Sequence, residues 1–457
     1  MTHRANSIAA RDIASVIHPQ TNLQQHQTTG PEMTQRGDGV CIYDDDGREY
    51  IDATSGLWCA SLGFATKRLA KVAYDQMCEL SYYHLYRHRS HEPAIELAER
   101  LLAIAPVPMS KVLFQCSGSE ANDVAIKLVW YYHNAIGKPE KRKIISRHMG
   151  YHGSTVASVS LSGKPDMHAD FNLPLDGFLH TEWPHFYRHS KPGESEIEYS
   201  SRLAQRLESL IISEGPETIA AFFAEPVMGA AGGVVPPDGY FAKIQSVLRK
   251  YDILFVVDEV VCGYGRTGRM WGSETYNIQP DILTTAKALS AAALPISAVM
   301  VNDKIYQAML DESDKLGSFA HGFTYAGHPV SAAVAVETLK IYEEIDVVKL
   351  AQENGEILSQ ALMPAKDHPL VGDVSQVGLL AGIELVCDKA TGKLFGPEVG
   401  IGARVVAASQ RHGLIHRGMG DRVAFAPPFI INEAEIQSIG KRFIQALDDV
   451  WAQTRSH

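Results

Sequence analysis

The chain is poor in the features that mark several large protein classes. Cysteine is scarce: there are six in 457 residues, Cys41, Cys59, Cys78, Cys116, Cys262 and Cys387, with no C-x-x-C pair. That excludes a disulfide-stapled secreted scaffold and reads as reduced thiols. No apolar run approaches the ~18 residues of a membrane span. There is no H-E-x-x-H and no clustered Cys/His set, so the sequence indicates no metal site among its 19 histidines. Positive charge is outnumbered, with 42 Lys and Arg against 53 Asp and Glu, for a net charge of −11. Nucleic acid or an anionic membrane is therefore not expected as the main partner. The first residues lack the apolar stretch of a secretory signal. Arg4 and Arg11 with Ser7 and Ser15 faintly resemble a transit peptide, but Asp12 weighs against it, and the expected location is the cytoplasm.

What is present is an ordinary globular composition, 45% hydrophobic and 21% charged, which supports a packed core over most of the chain. Val40–Asp52 reads as a hairpin, two β-rich runs around the turn Asp46-Gly47. From Leu62 to about Tyr325 short apolar strands alternate with helical patterns. The strand candidates are Val112–Gln115, Lys143–Arg147, Ala220–Ala224, Ile253–Val257 and Ile282–Ala286. Their continuous apolar character suits strands buried on both faces of a parallel sheet. Pro93 suits a first helical position, with Ile95, Ala98, Leu101, Leu102 and Ala105 as the apolar stripe behind it. A long helix follows Pro329. A last helix starts at the N-cap Asn432 with Glu435 three residues on, and aligns Ile436, Ile439, Phe443, Leu447 and Trp451. The expected fold is α/β: a large domain over residues 62–328, mostly parallel with helices on both faces, and a smaller α+β domain from residues 1–61 and 329–457.

In such a sheet ligands bind beyond the carboxyl ends of the strands. The first strand candidate runs into Ser117-Gly118-Ser119-Glu120 and then a helix. That turn is either an ordinary N-cap or an anion seat, because a helix start offers free N–H groups and the positive end of the macrodipole. The strand Ile253–Val257 ends in Asp258, which needs a cation or donors around it. A structural salt bridge would satisfy it equally. The strand Ile282–Ala286 ends in Lys287, followed by an alanine-rich stretch. A Lys so placed is either a snorkelling surface residue or, as the surroundings favour, a desolvated amine lowered from about 10.4 toward the range useful for nucleophilic or base chemistry. An anion seat, a carboxylate and a desolvated amine at the ends of one sheet suit a phosphorylated cofactor with a cationic ring nitrogen and an aldehyde. That combination is pyridoxal phosphate.

Gly263-Tyr264-Gly265-Arg266-Thr267-Gly268 also fits G-x-G-x-x-G, which keeps a nicotinamide-dependent oxidoreductase as a remote alternative. A dinucleotide fingerprint should follow a strand directly and open a helix, with an acid about 20 residues on. Here Asp258–Cys262 intervene, no apolar-periodic helix follows, and Asp281 comes too early.

At these motifs the chain resembles the class III (ω-) aminotransferases of the fold-type I pyridoxal-phosphate enzymes, nearest the amine/ω-amino acid:pyruvate subgroup. The similarity rests on SGSEAND (Ser117–Asp123), YHG (Tyr151–Gly153), AEPVMGAAGG (Ala224–Gly233), DEVVCGYGRTG (Asp258–Gly268), TTAKAL (Thr284–Leu289) and HGFTYAGHP (His321–Pro329). The resemblance implies that Lys287 is the Schiff-base lysine and proton shuttle, that Asp258 pairs with the pyridine nitrogen, and that Gly118 and Ser119 hold the phosphate. Tyr151 would stack on one face of the ring and Val260 would pack on the other, with Glu225 nearby in a supporting role. Phe323 and Thr324 would reach the phosphate from a neighbouring subunit, which implies an obligate homodimer with shared active sites. Trp58, Tyr86 and Tyr151 match the family's aromatic pocket wall, and Arg417 matches its mobile carboxylate clamp, a bidentate fork. Arg87 stands where relatives tend to carry an apolar residue. Facing inward, it would favour a second anionic group on the substrate. The function implied is ping-pong transfer of an amino group from an amine or ω-amino acid to pyruvate or another 2-oxo acid. A decarboxylase, racemase or aminomutase of the same fold is the alternative.

Overall fold

A computed structural model describes residues 7–454; Arg4 and the outermost residues of both chain ends lie outside them. Seven short strands form the main sheet, in the order Lys111–Gln115, Ser297–Val301, Ile282–Thr285, Leu254–Asp258, Ile219–Ala224, Lys143–Arg147, Phe178–Thr181. The last five pair in parallel. Ser297–Val301 is antiparallel to both of its neighbours, so Lys111–Gln115 points the same way as the parallel block.

Successive residues of the central strands face opposite layers, and both layers are apolar. Ile144 packs with Ala121, Val124 and Val129 of the helix Gly118–Ala135. Ile145 packs with Leu203 and Leu207 of Glu196–Glu214 and with Phe241 and Ile244 of Tyr240–Lys250. Burial on two sides explains why these strands read as unbroken apolar runs rather than alternating ones. All five expected strands are present within a residue or two of their expected ends. Two strands lie outside that expectation. Phe178–Thr181 has only four residues. Ser297–Val301 enters antiparallel because no long helix separates it from Ile282–Thr285, and a parallel neighbour would need a crossover of a dozen or more residues.

The hairpin forms as expected, Cys41–Asp44 against Glu49–Asp52, with Gly47 at φ 80° in the turn. Its second strand pairs in parallel with Leu414–Ile415, so residues far apart in the chain share a four-stranded sheet. A further four-stranded sheet holds Val371–Val377, Leu380–Leu385, Arg422–Phe425 and Arg417–Met419. The last helix, Glu433–Thr454, carries the expected reciprocal cap: Asn432 N–H donates to Glu435 Oε2 at 2.9 Å and Glu435 N–H to Asn432 Oδ1 at 3.0 Å. The helix Glu92–Ala103 corrects the expected stripe. Its buried side chains are Ala94, Leu97 and Leu101, while Ile95 is 49% exposed. Both sets satisfy a 3.6-residue period, and packing against the helix Pro329–Glu344 selects the face. Among the described residues no helix is long and apolar enough to cross a membrane.

Candidate active site

The carboxyl ends of the parallel strands open into one cavity that is partly open to solvent. Trp58, Gly118, Ser119, Tyr151, Glu225, Asp258, Val260 and Lys287 all line it.

Asp258, the last residue of its strand, is 3% exposed. Its Oδ2 accepts from Asn122 Nδ2 at 2.8 Å and from His152 Nδ1 at 2.8 Å, and its Oδ1 from Val260 N–H at 3.0 Å. A carboxylate only accepts, so His152 carries a proton on Nδ1. Thr284 Oγ1 donates to Asn122 Oδ1 at 2.9 Å, which turns the Asn122 amide so that its N–H groups face Asp258 and the His152 carbonyl. The carboxylate is thus fixed in orientation by three donors while its oxygens border open space. Asn122 and His152 are site residues that sequence reasoning did not single out, although both lie inside the motifs SGSEAND and YHG.

Lys287 comes one residue after the strand Ile282–Thr285 and has φ 49°, a left-handed backbone that residues other than glycine rarely adopt. Protein surrounds its amine and burial pushes its pKa down, with the Asp258 charge acting in the opposite sense. The residue keeps some accessible surface only because the cavity lies beside it. Its Nζ lies 5.8 Å from the centroid of the Trp58 ring.

Ser117 caps the helix Gly118–Ala135, its side chain accepting from Glu120 N–H. The N–H groups of Gly118 and Ser119 come next, in the first turn, where a helix supplies no partner of its own. Gly118 presses on Val260: a Cβ there would lie 3.1 Å from Val260 Cγ1. Gly153, at φ 141°, lets the Tyr151 loop close over Ser119, where a Cβ would stand 2.7 Å from Ser119 Cα. Ser154 N–H then donates to Ser119 Oγ at 3.1 Å. Tyr151 is anchored through its own N–H to Glu225 Oε1 at 3.0 Å, and Glu225 Oε2 is held by the fully buried Arg147 at 2.7 Å. Arg147 ends its strand and was also invisible as a site residue in the sequence. These parts fit pyridoxal phosphate: free N–H groups for a phosphate, a fixed carboxylate for a ring nitrogen, Tyr151 and Val260 to flank a ring, and an enclosed amine for an aldehyde.

Neighbouring Glu259 points the other way. It is buried against Gly272 N–H at 3.0 Å and against Ser273 N–H and Oγ at 2.6 Å each, and burial pushes its pKa up to about 7. The glycine-rich loop Gly263–Gly268 is tied back to it by Gly263 N–H donating to Glu259 O at 3.0 Å, and opens no long helix, only the four-residue turn Gly272–Thr275.

The remaining candidates lie outside the cavity. Arg417 is at its margin, with Cζ 5.4 Å from the Trp58 ring centroid and Nη2 donating to Gln20 Oε1 at 3.2 Å. Tyr86 and Arg87 are exposed. Phe323 is half-buried and Thr324 exposed, on a stretch without helix or strand. These two segments touch each other: Tyr82 Oη donates to Thr324 O at 2.8 Å, and the rings of Tyr82 and Tyr325 meet edge-on at 5.9 Å. Together they form an exposed ridge.

Comparison with known proteins agrees with this geometry. The family model described as "Aminotransferase class-III" matches residues 23–447. A gamma aminobutyrate transaminase 3 of Solanum lycopersicum, named as chloroplastic, is 46% identical over 454 residues, spanning 98% of this chain and 87% of the relative. The crystal structure of an omega transaminase from Pseudomonas jessenii in complex with PMP superposes with a TM-score of 0.96 at 52% identity, covering 97% of this chain and 98% of that one. A solved transaminase with L-alanine superposes with a TM-score of 0.91 at 51% identity, covering 92% of this chain and 100% of that one. Fold, cavity chemistry and end-to-end similarity lead to one conclusion: the chain belongs to the class III aminotransferases, pyridoxal-phosphate-dependent enzymes of fold type I.

Proposed function

We propose that this aminotransferase takes its amino group from an amine or ω-amino acid and delivers it to pyruvate or another 2-oxo acid by ping-pong transfer. The observation that carries the reading is the shared cavity, with the Lys287 amine and the Asp258 carboxylate facing the same space and the Arg417 guanidinium just beyond Trp58. The relative solved with L-alanine supports pyruvate as acceptor, since alanine is the product of aminating it.

Pyridoxal phosphate supplies the reactive aldehyde and an electron-withdrawing ring. The chain's residues do the rest. Asp258, oriented by Asn122, His152 and the Val260 N–H, holds the proton of the pyridine nitrogen. Gly118 and Ser119 bind the phosphate, and Phe323 and Thr324 of a second copy complete that seat. Tyr151 and Val260 fix the plane of the ring, with Glu225 bracing Tyr151. Lys287, whose amine burial pushes toward the unprotonated form, would hold the cofactor's aldehyde and carry the proton between the substrate's amine carbon and the cofactor's aldehyde carbon. Arg417 receives the acceptor's carboxylate and leaves it for donors that lack one. Trp58 and Tyr151 wall the substrate, joined by Tyr86 and Arg87 of the second copy. We read the working unit as a homodimer in the cytoplasm, built of a 62–328 domain and a smaller one from 1–61 and 329–457. The test is alanine formation from pyruvate with β-alanine, putrescine or 1-phenylethylamine as donor. Wild-type protein should form alanine. Equal turnover by Lys287→Ala, or no amino transfer to pyruvate or any other 2-oxo acid, would refute the respective half of the reading.

A further inference from the structure

The segment ahead of the first hairpin contains a donor set that the transaminase chemistry does not use. Two short helices, Ile8–Ser15 and Leu23–Thr29, are joined by a turn through Pro19 and Gln20. The pair has almost no apolar core. Ile8, Val16, Ile17 and Leu23 are all at least 50% exposed, no residue of the first helix is buried, and His26 alone is buried in the second. What joins the pieces is polar. Asp12 comes from the first helix, His18 from the turn and His26 from the second helix. Both His Nε2 atoms converge on Asp12 Oδ1, at 2.8 Å for His18 and 3.2 Å for His26, and the three ligand atoms all lie within 4.8 Å of one another. The imidazoles lie 4.3 Å apart, centroid to centroid. Tetrahedral zinc with bonds of about 2.0–2.1 Å needs donors about 3.3 Å apart.

The geometry points to a divalent transition-metal site, of zinc type, made by Asp12, His18 and His26 and completed by water. Two imidazoles, ligands of borderline softness, joined by one carboxylate suit zinc rather than magnesium or calcium, which take oxygen ligands alone. The ion staples three consecutive pieces of chain that lack an apolar core of their own, the situation in which bound metal contributes most to local order. It also fixes the turn that carries Gln20, whose Oε1 accepts from Arg417 Nη2 at 3.2 Å. Loaded metal therefore holds Gln20 on Arg417 and opposes the swing of that guanidinium; this link rests on the carboxylate-clamp role proposed above, while the site itself does not.

The test uses holoenzyme freed of metal by a chelator and titrated with zinc, or with cobalt as a coloured probe. One equivalent should bind per chain. The cobalt form should show tetrahedral visible bands without thiolate charge transfer, which separates this site from the exposed thiols of Cys78 and Cys387. Trypsin cleavage after the exposed Arg11 should slow when zinc is added. Both effects should vanish in His18→Ala and in His26→Ala, and Asp12→Asn should weaken binding. Absence of stoichiometric binding, binding unchanged in both His variants, or a thiolate spectrum would overturn the site. Zinc should raise KM for pyruvate in wild type but not in Gln20→Ala; an unchanged wild-type KM would overturn the link to Arg417 and leave the metal site standing.

Discussion

The floor of the cavity and the exposed ridge are opposites. On the floor the two carboxylates are fixed by other groups: Asp258 by Asn122, His152 and the Val260 N–H, and Glu225 by Arg147 and the Tyr151 N–H. On the ridge, Tyr86, Arg87 and Thr324 face solvent, without helix or strand, and Arg87 and His88 have φ of 50° and 66°. A preorganised floor costs no reorganisation during reaction, which is what charge-stabilising groups require. A ridge of exposed aromatic and Arg side chains matches the composition that interfaces favour. The contrast teaches that a single chain can carry a finished reaction centre beside an open wall, which in the homodimer proposed above would serve the next copy.

The sharpest test of the contrast is Lys287→Ala, which should lower alanine formation by roughly a thousandfold or more. Next, Asp258→Asn should cost on the order of a hundredfold in kcat. A large loss from the floor with an intact fold, checked by far-UV circular dichroism, sharpens the contrast; a loss under tenfold would break it. On the ridge, Arg87→Leu should cut kcat/KM for β-alanine about tenfold relative to 1-phenylethylamine, the value of one lost ionic contact of about 1.4 kcal/mol. Identical donor rankings would remove Arg87 from the substrate wall.

Subunit mixing tests the sharing itself. Lys287→Ala and Thr324→Glu should each be nearly inactive. After subunit exchange half of the dimers are mixed and one site in each is intact, so activity should return to roughly a quarter of wild type. No recovery would place both residues in the same chain's site.

The smallest effect is on stability. Glu259, pushed up to about 7 from 4.5, binds more protons folded than unfolded between those values. Stability should therefore fall as pH rises from about 5 to about 8. Glu259→Gln should flatten that slope in thermal unfolding curves, and ridge substitutions should not.

The sequence exposed the floor far better than the ridge. Lys287 and Asp258 were legible because both end apolar strands, where a charge is conspicuous and the fold puts ligands. Asn122, His152 and Arg147 were not, because their partners lie 30 to 162 residues away along the chain, as with Asn122 and Asp258 at a separation of 136. The antiparallel strand Ser297–Val301 escaped because its short approach through Lys287–Ser290 resembles loop. Ile95 was placed on the wrong face because periodicity gives a stripe's spacing but not which neighbour covers it. The Asp12, His18 and His26 set matches no spacing motif and comes together only through the turn at Gln20.

Trp58 has φ 57° and is 6% exposed, with its Nε1 buried and unpartnered. Its π-cloud lies beside both the Lys287 amine and the Arg417 guanidinium, and the guanidinium is a charge it can hold. Shrinking that indole to admit larger amines therefore does more than enlarge a bay. It removes the apolar partition between the Arg417 charge and the Lys287 amine, so the roomier enzyme should acquire a mouth more sensitive to ionic strength than the parent.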